Sequence, residues 1–112
     1  MDLYHIWCDL KPGVRDLEFS DALRAWMEHL RNAGHIADYR LTRRKLGLGP
    51  PGLGDFHVLV ETENLAQLDA AFNTAAARSG ETERLHGAVY SSVQNLTFAL
   101  YRDFPDPVRE GK

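Results

Sequence analysis

The order of two hydrophobic periodicities along the chain limits its fold more than any other feature. Four segments alternate between two sets of residues with a period of two, which is typical of strands. Two stripes with helical spacing lie between the first and second of these segments and between the third and fourth. The strands are predicted over residues 3–10, 36–46, 56–62 and 95–102.

Residues typical of helix ends set the predicted helix boundaries. The first stripe follows Asp16, whose side chain is expected to cap the helix, and it ends before Gly34, which suits the left-handed conformation past a helix end. Asn64 is expected to cap the second helix, and Gly80 to end it. Residues 81–94 mix apolar side chains with a glycine and two serines, so a loop holding one or two helical turns is one interpretation, and the pattern does not resolve their conformation.

The resulting order, βαββαβ with two amphipathic helices, predicts an α+β fold of the ferredoxin-like sandwich type. A four-stranded antiparallel sheet would carry both helices on one face and leave its other face uncovered. That face would expose Trp7, Leu59 and Tyr101, and an apolar patch of this kind usually marks an interface. We therefore expect a homodimer, paired face to face into a dimeric α/β barrel, with one domain over residues 1–104 and a tail over 105–112.

Composition excludes several classes of partner. The formal net charge of −3 gives no surplus of Lys and Arg for nucleic acid or an anionic membrane. No stretch approaches the ~18 apolar residues of a membrane span, and no secretory leader precedes the first strand. Cys8 is the single cysteine, which excludes an internal disulfide. We expect a cytoplasmic protein whose thiol is buried on the helix side of its strand.

Three segments resemble a family of short bacterial proteins of unknown function: MDLYHIWCDLKPGV, YRLTRRKLGLGPPGLGDFHVLVET and VQNLTFALYRDFPDP. The family is similar to the dimeric α/β-barrel proteins, in which two ferredoxin-like subunits press their open sheet faces together and enclose a small cavity. That wider group includes cofactor-free monooxygenases, haem-handling enzymes and members without demonstrated activity. The resemblance implies the fold and the dimer, and it implies no catalytic residue.

The candidate site lies on the uncovered face of the first and third strands. We expect these strands to be parallel neighbours, with His5 level with His57. Asp9 and Glu61 would then form a second pair ~13 Å along the strands. The same spacing separates His57 from Glu61 too widely for a shared ion, so no metal is predicted.

A histidine pair on this face suggests acid–base chemistry. Imidazole titrates near neutral pH, so His5 and His57 are the candidate catalytic residues, as general base or proton shuttle. Trp7 and Tyr101 would hold an aromatic ligand, with Asp9 and Glu61 as the polar ends of a ligand-binding surface. The alternative is that all six side chains fill a dimer core and satisfy one another through hydrogen bonds.

A basic segment before the glycine-rich loop offers a second candidate. The loop GLGPPG matches a dinucleotide-binding spacing, but its two prolines lack the N–H groups that cradle phosphate, and a strand follows where a helix is required. Arg43 and Arg44 could bind an anionic group, because guanidinium forks suit carboxylates and phosphates. The alternative is a solvated edge strand on which the charges discourage unwanted pairing.

Two functions remain open at this point. The first is a homodimer that binds a small aromatic or anionic metabolite, between sheet and helices or inside the barrel, with cofactor-free acid–base or monooxygenase-like chemistry. The second is a non-catalytic structural or regulatory dimer. A cavity large enough for a ligand favours the first, and a tightly filled face favours the second. No cofactor is predicted for either.

Overall fold

A computed structural model of the protein describes residues 1–76 and 80–105. Its elements in chain order are β1 (Asp2–Leu10), α1 (Asp16–Asn32), β2 (Asp38–Arg43), β3 (Phe56–Thr62), α2 (Leu65–Ala75), α3 (Gly80–Tyr90) and β4 (Val93–Arg102). The strands form one sheet in the order β2-β3-β1-β4, and all neighbours are antiparallel. The predicted α+β fold with a four-stranded antiparallel sheet is confirmed.

The hydrophobic core lies between one face of the sheet and the helices. Along β3, alternate residues are buried, and they pack against a stripe on α1. The buried members of that stripe are Phe19, Leu23, Trp26, Met27 and Leu30. Cys8 belongs to the same core and is only 2% exposed, as its position on the helix side of β1 predicts. Burial, together with the neighbouring Asp9 carboxylate, raises the pKa of the Cys8 thiol to about 11, so the thiol stays protonated.

The prediction that β1 and β3 are parallel was wrong. They pair antiparallel, with Trp7 opposite His57 and His5 opposite Leu59. The connection through α1 brings β2 back in the direction of β1, and the reversal between β2 and β3 then runs β3 the opposite way. In the sheet β3 lies between β1 and β2, so it runs antiparallel to β1.

The helix starts are capped differently from each other. Asn64 caps α2 as predicted, its side-chain oxygen accepting a hydrogen bond of 2.9 Å from the Gln67 backbone N–H. Asp16 does not cap α1. It is the first helical residue, after an N-cap at Arg15 that makes no side-chain bond, and its carboxylate accepts a hydrogen bond of 3.2 Å from Arg43. A carboxylate in the first turn still interacts favourably with the helix dipole.

The layer on the sheet contains a third helix that the sequence patterns did not predict. α2 ends at Ala75 instead of continuing to Gly80, and Gly80 begins the 11-residue helix α3 where a loop was expected. Leu85 and Val89 of α3 pack against the core, spaced one helical turn apart. β4 accordingly begins at Val93, two residues earlier than predicted.

The second strand is shorter than its alternating sequence suggested, covering six residues instead of eleven. Its pairing with β3 ends where the Arg44 N–H donates to the Asp55 carbonyl, and Leu46 then adopts a left-handed backbone with φ of 57°. Ile36, before the strand, is buried in the core. The following loop returns close to β1 at Gly54, where a Cβ would lie 2.3 Å from the Cys8 carbonyl carbon.

The described residues end at Pro105, so most of the predicted tail, residues 106–112, lies outside them. None of the helices in the described ranges is both long and apolar enough to cross a bilayer.

Candidate functional site

The sheet face away from the helices, here called the open sheet face, carries the predicted site residues of β1, β3 and β4. Pairing aligns alternate residues of the strands on this face. Its members include Leu3, His5, Trp7, Arg40, Thr42, His57, Leu59, Glu61, Thr97, Ala99 and Tyr101. No helix of the described residues covers it, because the core helices all pack on the other side.

The structure brings His5 and His57 together, although not by the predicted register. The two residues stand diagonally across β1 and β3, and their side chains lean toward each other. Nδ1 of His5 lies 2.9 Å from Nε2 of His57, and the rings are nearly parallel, with centroids 5.2 Å apart. This hydrogen bond needs one protonated and one bare nitrogen, so at least one of the two imidazoles is neutral.

The surroundings of the pair favour the neutral form of His57. Burial, and then the proximity of His5, lower the pKa of His57. The Thr42 hydroxyl lies 3.4 Å from its Nδ1. Nε2 of His5 is buried and has no hydrogen-bond partner among the described residues. A buried polar atom left in this state costs about 1–3 kcal/mol.

Aromatic rings extend the pair into a continuous layer. Trp7 stacks on His57 with centroids 4.9 Å apart and on His5 at 5.6 Å. Tyr101 meets His5 edge-on at 5.0 Å, and it is 63% exposed. The four predicted residues His5, Trp7, His57 and Tyr101 therefore form one cluster.

Asp9 and Glu61 do not form the predicted second pair. Because β1 and β3 are antiparallel, Glu61 lies opposite Leu3, and Asp9 lies six residues farther along β1. At the strand rise this places them roughly 20 Å apart. The correction follows directly from the reversed direction of β3.

The Asp9 carboxylate is engaged within the chain. It accepts hydrogen bonds from the Asp55 backbone N–H at 2.9 Å and from the Asn95 side chain at 3.1 Å. These bonds, in that order, and the nearby Arg44 hold the pKa of Asp9 below its usual range. Asp9 thus ties the end of β1 to the start of β3 and to β4, where the pairing shifts by one residue.

Arg43 and Arg44 have separate partners. Arg43 lies over the Phe56 ring on the helix side and bonds Asp16. Arg44 donates to the backbone carbonyls of Leu53 at 2.7 Å and Pro50 at 3.3 Å, and so holds the loop before β3. The structure therefore does not present the two guanidinium groups as one free anion-binding fork.

A cavity of about 280 Å³ lies between the helix side of the sheet and the three helices. Six aromatic side chains line its wall, namely Tyr4, Phe19, Trp26, Phe72, Tyr90 and Phe98. Tyr4 meets Phe72 edge-on at 5.2 Å and stacks on Phe98 at 6.0 Å. Phe72 and Phe98 are 46% and 54% exposed, so they mark the mouth of the cavity beside β4.

His86 is the only histidine in the described wall, which is otherwise apolar apart from Tyr4, Tyr90 and the Cys8 thiol. Its half-buried ring lies 5.0 Å from the Trp26 ring, and it makes no hydrogen bond to the described residues. Burial lowers the pKa of His86, which favours its neutral form. In the sequence His86 has no partner at ligand spacing, and a lone histidine of this kind indicates a solvated side chain more often than a functional one. Trp26 belongs to the predicted stripe of the first helix, and its helical spacing indicated only a core residue.

Four antiparallel strands with helices on one side define a ferredoxin-like α+β protein. Residues 1–112 match the model of a family of unknown function, DUF6614, and the chain belongs to that family. Among curated proteins, none matches the chain significantly. In the described ranges, no group of three or more His, Cys, Asp and Glu side chains is arranged to hold a metal ion.

Three solved structures illustrate the shared fold. A protein of Arabidopsis thaliana, At3g17210, has a TM-score of 0.72 at 7% identity, covering 95% of this chain and 98% of that one. SnoaB of Streptomyces nogalater, a cofactor-independent oxygenase, has a TM-score of 0.68 at 7% identity, covering 94% and 97%. A dimeric ferredoxin-like protein of unknown function from Thermobifida fusca has a TM-score of 0.62 at 14% identity, covering 92% of both chains. At these identities the likeness concerns the fold.

Proposed function

We propose that the protein is a homodimer that binds a small aromatic molecule in the cavity between its sheet and its helices. The observation that carries the proposal is the cavity itself, about 280 Å³ with an apolar and aromatic wall. An apolar cavity of about 150 Å³ is enough to bind benzene, and ligand sites commonly start near 300 Å³. The expected ligand therefore has one or two rings.

The arrangement of the wall supports an aromatic ligand. Trp26 lies inside, and the Tyr4 ring contacts both Phe72 and Phe98 toward the mouth. Aromatic pairs prefer offset-stacked or edge-to-face contacts, which these rings offer to a planar guest. No Lys, Arg, Asp or Glu lines the described wall, which disfavours a highly charged guest.

The reaction class that we propose for this site is cofactor-free acid–base or oxygenase-like chemistry. SnoaB, a cofactor-independent oxygenase, shares the fold. An assay of oxygen consumption with aromatic substrates therefore tests for oxygenase-like chemistry. In the oxygenase-like reaction dioxygen is the oxidant. An activated ring CH₂ becomes C=O, and the second oxygen atom leaves as water with the two hydrogen atoms. The non-catalytic alternative predicts ligand binding without turnover, or no binding.

The open sheet face is the proposed dimer interface. Trp7, Leu59 and Tyr101 form an apolar surface that a second copy would remove from water. The second copy could also supply a partner for the buried Nε2 of His5. The Thermobifida fusca protein of similar fold is dimeric, which supports a dimer here.

Paired arginine substitutions test the dimer. Leu59→Arg places a charge in the middle of the open sheet face and is expected to give monomers in sedimentation velocity. Leu17→Arg, on an α1 residue that is 75% exposed, is the matched control and should leave the dimer intact. A dimer that survives Leu59→Arg would refute this interface.

Quenching of Trp26 fluorescence tests the cavity. The chain has two tryptophans, so Trp7→Phe leaves Trp26 as the single reporter. The probe 4-nitroanisole, an uncharged nitroaromatic quencher, should quench it saturably. Ala71→Leu, in the cavity wall, should abolish the saturable quenching, whereas Ala66→Leu, exposed on the same helix, should not. Equal quenching in both variants would refute binding in the cavity.

The pair of His5 and His57 is a second candidate for acid–base chemistry, favoured by its 2.9 Å hydrogen bond. In the proposed dimer the pair would lie inside the interface, flanked by Trp7 and Tyr101. If this pair is catalytic, His5→Ala and His57→Ala should each abolish turnover while the dimer survives. Unchanged turnover in both variants would exclude the role.

A further inference from the structure

We propose that a groove between α1 and β2 binds a phosphate monoester through the guanidinium groups of Arg24 and Arg40. The groove has a volume of about 330 Å³, and both arginines line it. It shares Leu23 alone with the described wall of the aromatic cavity. The protein would then have a second binding site, which is independent of the cavity and of its aromatic ligand.

One wall of the groove is a face of α1. Ser20, Arg24 and Arg31 follow one another at intervals of four and seven residues, which places them on the same side of the helix. The contacts of Arg31 show that this side faces β2. Its Nη1 donates to the Asp38 carboxylate at 3.1 Å, and its guanidinium lies over the Tyr39 ring at 5.6 Å.

The cations of the groove differ in their partners. Arg31 donates to the carboxylates of Glu28 and Asp38, so its charge is compensated within the chain. Arg24 and Arg40 make no hydrogen bond or ion pair with the described residues. One guanidinium group from the helix and one from the strand are therefore available for a bound anion.

Tyr39 shows where the charge of Arg24 lies. The Tyr39 hydroxyl donates to Glu28 at 2.7 Å, and the ring is fixed beneath Arg31. Burial, followed by the bond to Glu28, raises the pKa of Tyr39, whereas the nearby charge of Arg24 opposes that rise. The Arg24 charge is therefore close to Tyr39, which also lines the groove.

Protection of the edge strand does not explain this arrangement. β2 is an edge strand, and cationic side chains on such strands discourage unwanted pairing. That role accounts for Arg40, but not for Arg24, which lies on the helix. Although the chain has a formal net charge of −3, three cations line the groove against one carboxylate, that of Asp38.

The two unpaired guanidinium groups favour a phosphate monoester over a carboxylate. Like a phosphorylated side chain, a phosphate monoester carries a charge of about −1.5 to −2 at neutral pH and three acceptor oxygens. Two arginine forks from different walls match this charge and geometry, whereas one fork is enough for a carboxylate. Ser20 adds a hydroxyl donor that makes no hydrogen bond with the described residues.

Calorimetric titration with glycerol 3-phosphate tests the site. This probe is a phosphate monoester without a ring, so its binding does not depend on the aromatic cavity. Glycerol and acetate are the matched probes without phosphate. The native protein should bind glycerol 3-phosphate at one site per chain and should bind neither control probe measurably. Arg24→Gln and Arg40→Gln should each weaken the binding of glycerol 3-phosphate about tenfold.

Two further variants separate the groove from the general effect of charge. Arg84→Gln removes the same charge from α3, where Arg84 pairs with Glu81 outside the groove, and it should leave the affinity unchanged. Arg24→Lys should keep part of the affinity, because it retains the charge but loses the planar fork. Absence of binding to the native protein, or equal weakening in Arg84→Gln and Arg24→Gln, would overturn the site. Equally tight binding of acetate would overturn its assignment to a phosphate monoester.

Discussion

Nδ1 of His5 and Nε2 of His57 lie 2.9 Å apart although neither residue stands opposite the other in the sheet. Antiparallel pairing puts Trp7 opposite His57, so the two imidazoles meet along a diagonal with the indole beside them. Diagonal neighbours in a sheet lie within reach of long or aromatic side chains. The contact is therefore a consequence of strand direction and of ring size together.

Acidification should weaken the fold through His57. Its pKa is lowered in the folded state, so the unfolded chain binds the proton more readily. Stability is then complete above the ordinary histidine pKa of about 6.5 and is lost as the pH falls below it. Urea unfolding between about pH 7.5 and about pH 5.5 should show this loss, and His57→Phe should reduce the slope. An unchanged slope in His57→Phe, with His35→Gln as the reference, would contradict the prediction.

Asp9→Asn should destabilise the junction of β1, β3 and β4. The amide keeps one acceptor for the Asp55 N–H, but its nitrogen would face the Asn95 side chain, which also donates. We expect a loss of about 1 kcal/mol in the free energy of unfolding at neutral pH. Asp21→Asn, the same change on the exposed surface of α1, should have almost no effect.

The pH dependence of the Asp9 contribution has a definite sign. Its pKa is lowered on folding, so its stabilisation is present above the ordinary aspartate pKa of about 3.9 and is lost as the pH falls through the folded value. Asp9→Asn should therefore remove part of the acid sensitivity below about pH 4. If the free energy of unfolding fell with pH at the same slope in the native protein and in Asp9→Asn, this prediction would be contradicted.

Two glycine-to-alanine changes should move stability in opposite directions. At Gly54 a Cβ would lie 2.3 Å from the Cys8 carbonyl carbon, so the backbone must shift, and we expect a loss of about 2 kcal/mol or more. At Gly87, inside α3, a Cβ meets nothing within 4 Å, and alanine should stabilise the helix by up to about 1 kcal/mol. Thermal unfolding of both variants checks the pair. Equal changes in thermal stability for the two variants would contradict the close approach of Gly54 to the Cys8 backbone.

Alanine substitutions at the two helix starts should distinguish a cap from an ion pair. Asn64→Ala removes the bond to the Gln67 N–H and should cost about 1 kcal/mol. Asp16→Ala removes an exposed ion pair with Arg43 and should cost less than about 0.5 kcal/mol. Denaturant unfolding measures both losses. A loss at Asp16 as large as the loss at Asn64 would contradict this distinction between a cap and an ion pair.

Local periodicity predicted most of the fold. The alternating residues of β1 and β3 sorted Cys8 to the core and Trp7 to the open sheet face, because side chains on a strand point to opposite sides in turn. The alternation does not depend on the direction of a strand, so it could not show that β3 runs antiparallel to β1. The apolar residues of α3, Leu85 and Val89, are too few to mark a helix beside Gly87 and two nearby serines.

The cavity could not be predicted from local patterns. Its volume depends on how side chains from strands and all three helices fail to fill the space between them. Trp26 is 4% exposed, as a core residue should be, and yet it lines the cavity. The sequence held the aromatic residues, but their arrangement around an empty volume arises only from packing.

The most direct measurement is a crystal structure of the protein soaked with 4-bromoanisole, with the bromine located by its anomalous scattering. We expect a bromine peak inside the cavity, beside Trp26, His86 and Phe72 of its wall. That peak should disappear in Ala71→Leu. A peak on the open sheet face among Trp7 and its neighbours, or no peak in the cavity, would contradict the claim that this protein binds aromatic molecules between its sheet and its helices.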